Sequence, residues 1–198
     1  WSDIATSNIG FRYTPQGFIF DAKSPTAFGF KDAMCALGAL NSKLTNHLAQ
    51  VINPTVSFQV GNYDSLPHLK CSDPEKLRAV IEELIEISKK DWQSFETSWD
   101  FGKTPLASMN SHSLQAAFDE WSSTCLALTN KSKYLEEENN KIFIEEYDLH
   151  DEINPEIEKN EVTLNINPRY RYGNHESNDI ISSRYQADTF VDLVSYSV

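Results

Sequence analysis

The sequence predicts an α+β fold: a small mixed α/β module followed by a mostly helical part built around a long antiparallel helical hairpin. Three observations lead there. Apolar and polar residues alternate around Phe11–Tyr13 and Val56–Val60, the period of a half-buried strand. From Leu114 to Ile142 apolar residues recur in steps of four and three, the repeat of helices that pack along their length. Prolines and helix-capping residues fall between these stretches and set the boundaries.

In the first module, residues 1–70, Phe11 and Tyr13 face one way, Pro15-Gln16-Gly17 supplies a turn, and Phe18-Ile19-Phe20 returns as a second extended segment. Asp32 caps a helix carrying Met34, Leu37 and Leu40 that ends at Asn41-Ser42. A second helix places Leu44, Leu48, Val51 and Ile52 on one side and stops before Pro54. A strand over 52–61 then points Val56, Phe58 and Val60 one way and Ser57 and Gln59 the other, with Ser65-Leu66-Pro67 closing it.

Residues 71–150 form the helical spacer. Asp73-Pro74-Glu75 starts a helix, with an N-cap oxygen, a proline where no amide is missed, and an acid at the positive end of the dipole. Leu77, Val80, Ile81, Leu84, Ile85 and Ile87 make its apolar stripe. Ser88–Asp91 restarts it as a capping-box-like turn, and Trp92, Phe95 and Trp99 extend the face. After a loop with Gly102 and Pro105, the heptad Leu114, Phe118, Trp121, Cys125, Leu128, Ser132, Leu135, Asn139, Ile142 runs on to a break at Asn154-Pro155, with Ser132 and Asn139 as polar seam positions that fix register. Residues 151–198 hold a short strand at Val162–Ile166, a polar loop over 167–178 and a last helix through Ile180, Ile181, Tyr185, Phe190, Val191, Val194 and Val198. That helix has no capping glycine and the chain starts at Trp1, so both ends read as cuts in a longer protein.

Charge divides the chain unequally. The net charge is −12, yet residues 1–70 carry Arg12, Lys23, Lys31, Lys43 and Lys70 against Asp3, Asp21, Asp32 and Asp64. All the excess acid lies beyond, on surface that faces solvent or another protein. The near-neutral first third can face a polyanion if its few cations cluster, and Arg12 and Lys43 are expected on one basic face.

Several chemistries are disfavoured. The seven glycines include no closely spaced set, the nearest pair being Gly10 and Gly17, so no turn here brings backbone against a pyrophosphate or an adenosyl cofactor. The five histidines and three cysteines show only an isolated His68-x-x-Cys71, so no metal is expected. Three scattered cysteines fit a reducing cytoplasm, with Cys35 and Cys125 as small core residues, and no apolar run spans a membrane. Ser111-His112-Ser113 is no nucleophile elbow. Asn167-Pro168-Arg169-Tyr170 differs by one residue from the loop that grips a flipped adenine, but Arg169 removes the stiffening proline, and a loop whose Tyr170 and Tyr172 pack on helices is the simpler reading.

Asn41, Ser42, Lys43, Gln59 and Asn62 remain, as residues able to hold phosphates and read base edges. Asn41 serves equally well as a helix C-cap, and Asn53 as a loop residue.

In order along the chain, Phe11-Arg12-Tyr13, Gly17-Phe18-Ile19-Phe20-Asp21, Leu40-Asn41-Ser42-Lys43, Asn53-Pro54-Thr55, Phe58-Gln59-Val60-Gly61 and Leu66-Pro67 resemble the adenine-specific DNA methyltransferases of BREX phage-defence systems, the PglX family. The likeness continues through Ser94-Phe95-Glu96-Thr97-Ser98-Trp99-Asp100-Phe101, its most specific run, then Asn140–Ile144, Asn167–Gly173 and Val194-Ser195-Tyr196. The resemblance implies the target-recognition region and helical spacer of such an enzyme, with Arg12, Lys31, Asn41, Ser42, Lys43, Gln59 and Asn62 facing double-stranded DNA. It implies a catalytic domain elsewhere in the parent, S-adenosylmethionine as the parent's cofactor with none bound by this chain, and a bacterial cytoplasmic setting. The competing reading makes the acidic helices a docking module for another defence subunit.

Overall fold

A computed structural model describes residues 1–6 and 8–197. Among these the chain is all-α: α1 (Ala33–Leu40), α2 (Lys43–Ile52), α3 (Val60–Asp64), α4 (Pro74–Gln93), α5 (Pro105–Ser108), α6 (Leu114–Glu146), α7 (Pro168–Tyr172) and α8 (Asn178–Ser197), with a 3-10 turn at Lys159–Glu161. No strand is present among the described residues, and one isolated antiparallel bridge, Ile4 with Ser57, is the nearest approach to a sheet. The α+β expectation is therefore corrected to all-α.

The predicted segment 18–20 forms no strand, and 11–13, 52–61 and 162–166 are held by side chains and, at 56–58, by an isolated backbone contact with residues 3–5, not by neighbouring strands. Asn41 Oδ1 accepts from the Phe11 N–H at 2.9 Å while its Nδ2 donates to the Phe11 carbonyl at 3.0 Å. Asn53 Nδ2 donates to the Ser57 carbonyl, and the strand is cut short where Gln59 becomes the N-cap of α3. At 162–166 the alternation is real, since Val162, Leu164 and Ile166 are all buried. There Asp91 takes the Asn165 and Ile166 N–H groups, and Asn167 Nδ2 donates to the Val162 carbonyl at 2.8 Å. Period-two patterning marks which side chains turn inward, but an extended segment becomes a strand only where another backbone pairs with it.

The helices follow their caps. Asp32 Oδ1 accepts from the Met34 and Cys35 N–H groups, which holds its carboxyl below the usual range, and Arg78 pairs with it at 2.6 Å. α4 is one continuous helix, without the expected restart at Ser88–Asp91. Trp92 and Trp99 are largely exposed, and Asp91 is the buried residue of that turn. In the heptad, Phe118, Trp121, Cys125, Ser132, Leu135, Asn139 and Ile142 are buried, while Leu114 is half exposed. α6 ends at Glu146, ahead of the expected break at Asn154-Pro155. Asp148 takes φ 53°, Leu149 N–H donates to the Ile144 carbonyl at 2.9 Å and Asp148 N–H to Glu145 at 3.3 Å. That is a Schellman cap with aspartate in the glycine position, a residue whose short side chain tolerates the left-handed region. In α8, Ile181 and Tyr185 turn inward, Ile180, Val191 and Val194 outward, and Val198 lies outside the described residues.

The chain divides into two compact units, Trp1–Glu83 with Leu135–Glu156, and Leu84–Tyr134 with Ile157–Val198. The boundaries fall inside α4 and α6. In the first unit, Gly38 of α1 lies where an added Cβ would stand 2.9 Å from Leu77 Cδ1 and 2.9 Å from Asn139 Oδ1, and Asn139 Nδ2 donates to the Gly38 carbonyl at 3.0 Å. Asn139 thus fastens α1 through the one position where only glycine leaves room. In the second unit, Phe118 packs its ring near Tyr185 and Phe190, and the Cys125 thiol lies 3.3 Å from the Tyr185 hydroxyl. Burial pushes that thiol up to about 12, so Cys125 acts as a small core residue.

Candidate nucleic-acid interface

In the first unit an N-terminal segment without regular structure is laid over α2 and α3 and pinned at Asp3. The Asp3 carboxylate receives Lys23 Nζ at 2.7 Å and Ser57 Oγ at 2.8 Å. Its backbone joins in, accepting from Phe58 N–H at 2.7 Å and donating to the Lys23 carbonyl at 3.1 Å. The Lys23 ammonium, then the Ser57 hydroxyl, hold the carboxyl below its usual range. Trp1 stacks on Tyr63 with ring centres 4.9 Å apart, tilts against Phe11 at 5.4 Å, and donates from Nε1 to the Phe58 carbonyl at 2.8 Å. Beneath lies a small core of Ala49, Phe58 and Leu66.

The candidate DNA-contacting residues divide into two groups on this frame. Asn41 is the C-cap of α1 and spends its amide on Phe11 and on the Leu37 carbonyl. Ser42 is fully buried as N-cap of α2, donating to the Ala39 carbonyl at 2.7 Å and accepting from Thr45 N–H at 3.2 Å. Lys43 donates through Nζ to the Glu156 carbonyl, while Asn140 receives its N–H at 2.9 Å. Asn62 Oδ1 caps α3 by accepting from Gln59 N–H at 2.9 Å and also receives Asn53 Nδ2 at 3.2 Å. Arg12, Lys31 and Gln59 are exposed, with Arg12 donating to the Ser2 hydroxyl at 3.4 Å. The Leu40–Lys43 and Asn53–Asn62 stretches thus shape the backbone, and the side chains they leave open to solvent stand beside them.

Sequence reasoning missed two polar residues that organise the units. Asn140 bridges the start of α2 to the Pro155 carbonyl, accepting from Lys43 and donating at 3.0 Å. Asp91 accepts from Ile166 N–H at 2.8 Å and from Asn165 N–H at 3.0 Å and Nδ2 at 3.2 Å. No cation among the described residues offsets it, and burial raises its pKa against those three donors. The available signal for Asp91 is an acid set among the apolar positions of a helix, a pattern that a capping-box turn shares.

Among the described residues no group of three or more His, Cys, Asp or Glu side chains is placed to hold a metal ion, and no helix is long and apolar enough to cross a membrane. Gly10 and Gly17 do not flank a strand-to-helix turn, so the residues present do not fit an adenosyl cofactor.

No protein-family model matches the chain. It is 35% identical over 207 residues, covering all of this chain, to the adenine-specific methyltransferase BrxX of Escherichia coli O9:H4 (strain HS). It is 34% identical over 171 residues, 83% of the chain, to the adenine-specific methyltransferase PglX of Lacticaseibacillus casei (strain Zhang). The chain spans 16% and 14% of the lengths of these curated relatives.

Proposed function

Since this chain is homologous along its whole length to a segment of the PglX family of adenine-specific methyltransferases, we propose that it is the part of a BREX methyltransferase that holds and reads duplex DNA. The parent would transfer a methyl group from S-adenosylmethionine to adenine in the bacterial cytoplasm, with cofactor and catalytic groups supplied outside this chain. The observation that carries this reading is the match to two methyltransferases, over all of the chain in one and 83% in the other, in a chain that lacks a glycine turn fit for the cofactor.

Within the first unit, Asn41, Ser42 and Asn62 act from behind as builders of the frame, Arg12, Lys31 and Gln59 supply contact from exposed positions, and Lys43, half-buried with Nζ on the Glu156 carbonyl, would exchange that carbonyl for a phosphate. A neutral amide on Gln59 suits an adenine edge, and the cations suit phosphates. The test is methylation of defined duplexes by the full-length enzyme. Gln59→Ala should change which sequence is modified, whereas Lys43→Ala should weaken all sequences alike. An unchanged target set in Gln59→Ala would remove the base-reading role.

The acid-rich exposed faces of α4 and α6, with Glu82 and Glu86 among their residues, favour a second role in docking another defence protein. Duplex affinity that does not change with salt would favour that role over DNA contact.

A further inference from the structure

Three of the five arginines lie between residues 169 and 184, in the acidic remainder of the chain. The Asn167–Tyr170 stretch that leads into them forms α7 and not a loop. Asn167 is buried and caps it, accepting from Arg169 N–H at 3.2 Å while Nδ2 donates to the Lys159 carbonyl at 2.6 Å. Gly173, at φ 80°, ends it and turns the chain toward α8. This rigid corner puts Arg171 and Tyr172 against the first turns of α8.

There Tyr172 forms a platform between two guanidinium groups. Arg184 lies over its ring at 4.8 Å, and Arg171 is 5.6 Å from the same ring and 5.8 Å from that of Phe95. Asp188 accepts from the Tyr172 hydroxyl at 2.7 Å and reaches one nitrogen of Arg171 at 3.6 Å. The carboxylate, shared between the phenol and Arg171, thus anchors one guanidinium, and Arg184 meets the cluster through the ring. Arg169 is occupied with Asn178 Oδ1, and the acids Glu176 and Asp179 point to solvent at the start of α8. Stacked guanidiniums are weakly hydrated, have lost much of their rotamer freedom already, and keep their N–H edges open in the geometry that matches a phosphate.

We propose that Arg171 and Arg184, stacked on Tyr172, form a clamp for a backbone phosphate of duplex DNA, a contact point in the second unit that positions the duplex without reading its sequence. The inference rests on the proposal that the parent works on DNA.

The test is titration of a labelled duplex with the full-length enzyme over a range of salt, together with its methylation pattern. Arg184→Gln should weaken duplex binding about 5-fold, and the Arg171→Gln, Arg184→Gln double variant should lower the slope of log affinity against log salt by about 1, the contribution of one phosphate, with the methylated sequence unchanged. Arg184→Lys should keep the slope and recover part of the affinity. Wild-type affinity and slope in the double variant, with Gln59→Ala still shifting the target, would overturn the clamp and leave the DNA reading in place. Loss of affinity in the double variant while Arg12→Gln and Gln59→Ala change nothing would support the clamp and remove the first unit's role. A lower melting temperature without a change in salt slope, or weakened binding of polyglutamate with duplex binding intact, would each overturn the clamp.

Discussion

The two units solve the same problem with opposite chemistry. Each must bury irregular backbone beside helices, and each spends polar side chains to do so. The first uses neutral amides and a hydroxyl, Asn41, Ser42, Asn53 and Asn62, and confines its pinning carboxylate, Asp3, to a pair with Lys23. The second commits a buried carboxylate, Asp91, with three N–H donors and no cation among the described residues. Amide and hydroxyl caps are indifferent to pH, whereas a carboxylate titrates with a sign set by its surroundings.

Removing Asp91 separates the units most sharply. Asp91→Ala leaves the Asn165 and Ile166 N–H groups buried without an acceptor and should cost about 3 kcal/mol in denaturant unfolding, with early exchange of the 162–167 amides. Equal loss of protection around α1 and α2 would show that the units do not respond separately. Ser42→Ala strips a fully buried cap in the other unit and should cost about 1.5 kcal/mol, read as a shift of midpoint without a change of slope. Gly38→Ala is smaller. The gain of about 1 kcal/mol in helix propensity is outweighed by overpacking against Leu77 and Asn139, for a net loss of about 1 kcal/mol. A stabilised variant would mean that α1 can slide away from Leu77.

The gentlest probe is pH. Asp3 has a folded pKa below its unfolded value, so its contribution is present above the ordinary aspartate range and is lost as pH falls through the folded value. Asp91 has a folded pKa above its unfolded value, so its contribution is present at low pH and is lost as pH rises through the folded value. Amide exchange followed from neutral to acid pH should therefore show residues 2–5 and 56–58 losing protection while 165–167 gain it. Asp91→Asn should flatten the second trend alone.

Much of the helical architecture was legible because its signals are local. Asp32, Asn41, Ser42 and Asn53 sit where caps belong, and the buried Phe118, Trp121, Cys125 and Leu135 follow the heptad. The strands were not legible, because a strand is defined by a partner and alternation carries no information about one. The candidate site divided the same way: Asn41, Ser42, Lys43, Gln59 and Asn62 were singled out for being polar at boundaries, but whether a polar residue faces solvent or its own backbone depends on what packs over it. Ser42 and Gln59 look alike as boundary residues, yet one is fully buried and the other exposed.

By itself, then, the sequence determined the starts of α1, α2, α4 and α6 and the stops of α1 and α2, the apolar seam of α6, the confinement of excess acid beyond residue 70, and the likeness to a methyltransferase segment, since each rests on residues close in the chain or on their order. Only tertiary structure decided that the extended segments pair with Asn41, Asp91 and Asn167 and not with a sheet, and that Arg171 and Arg184 meet over Tyr172. Those contacts join residues up to 75 positions apart. A hydrogen-bonding group takes whichever partner the packed chain brings within reach, and sequence spacing does not reveal which one that is.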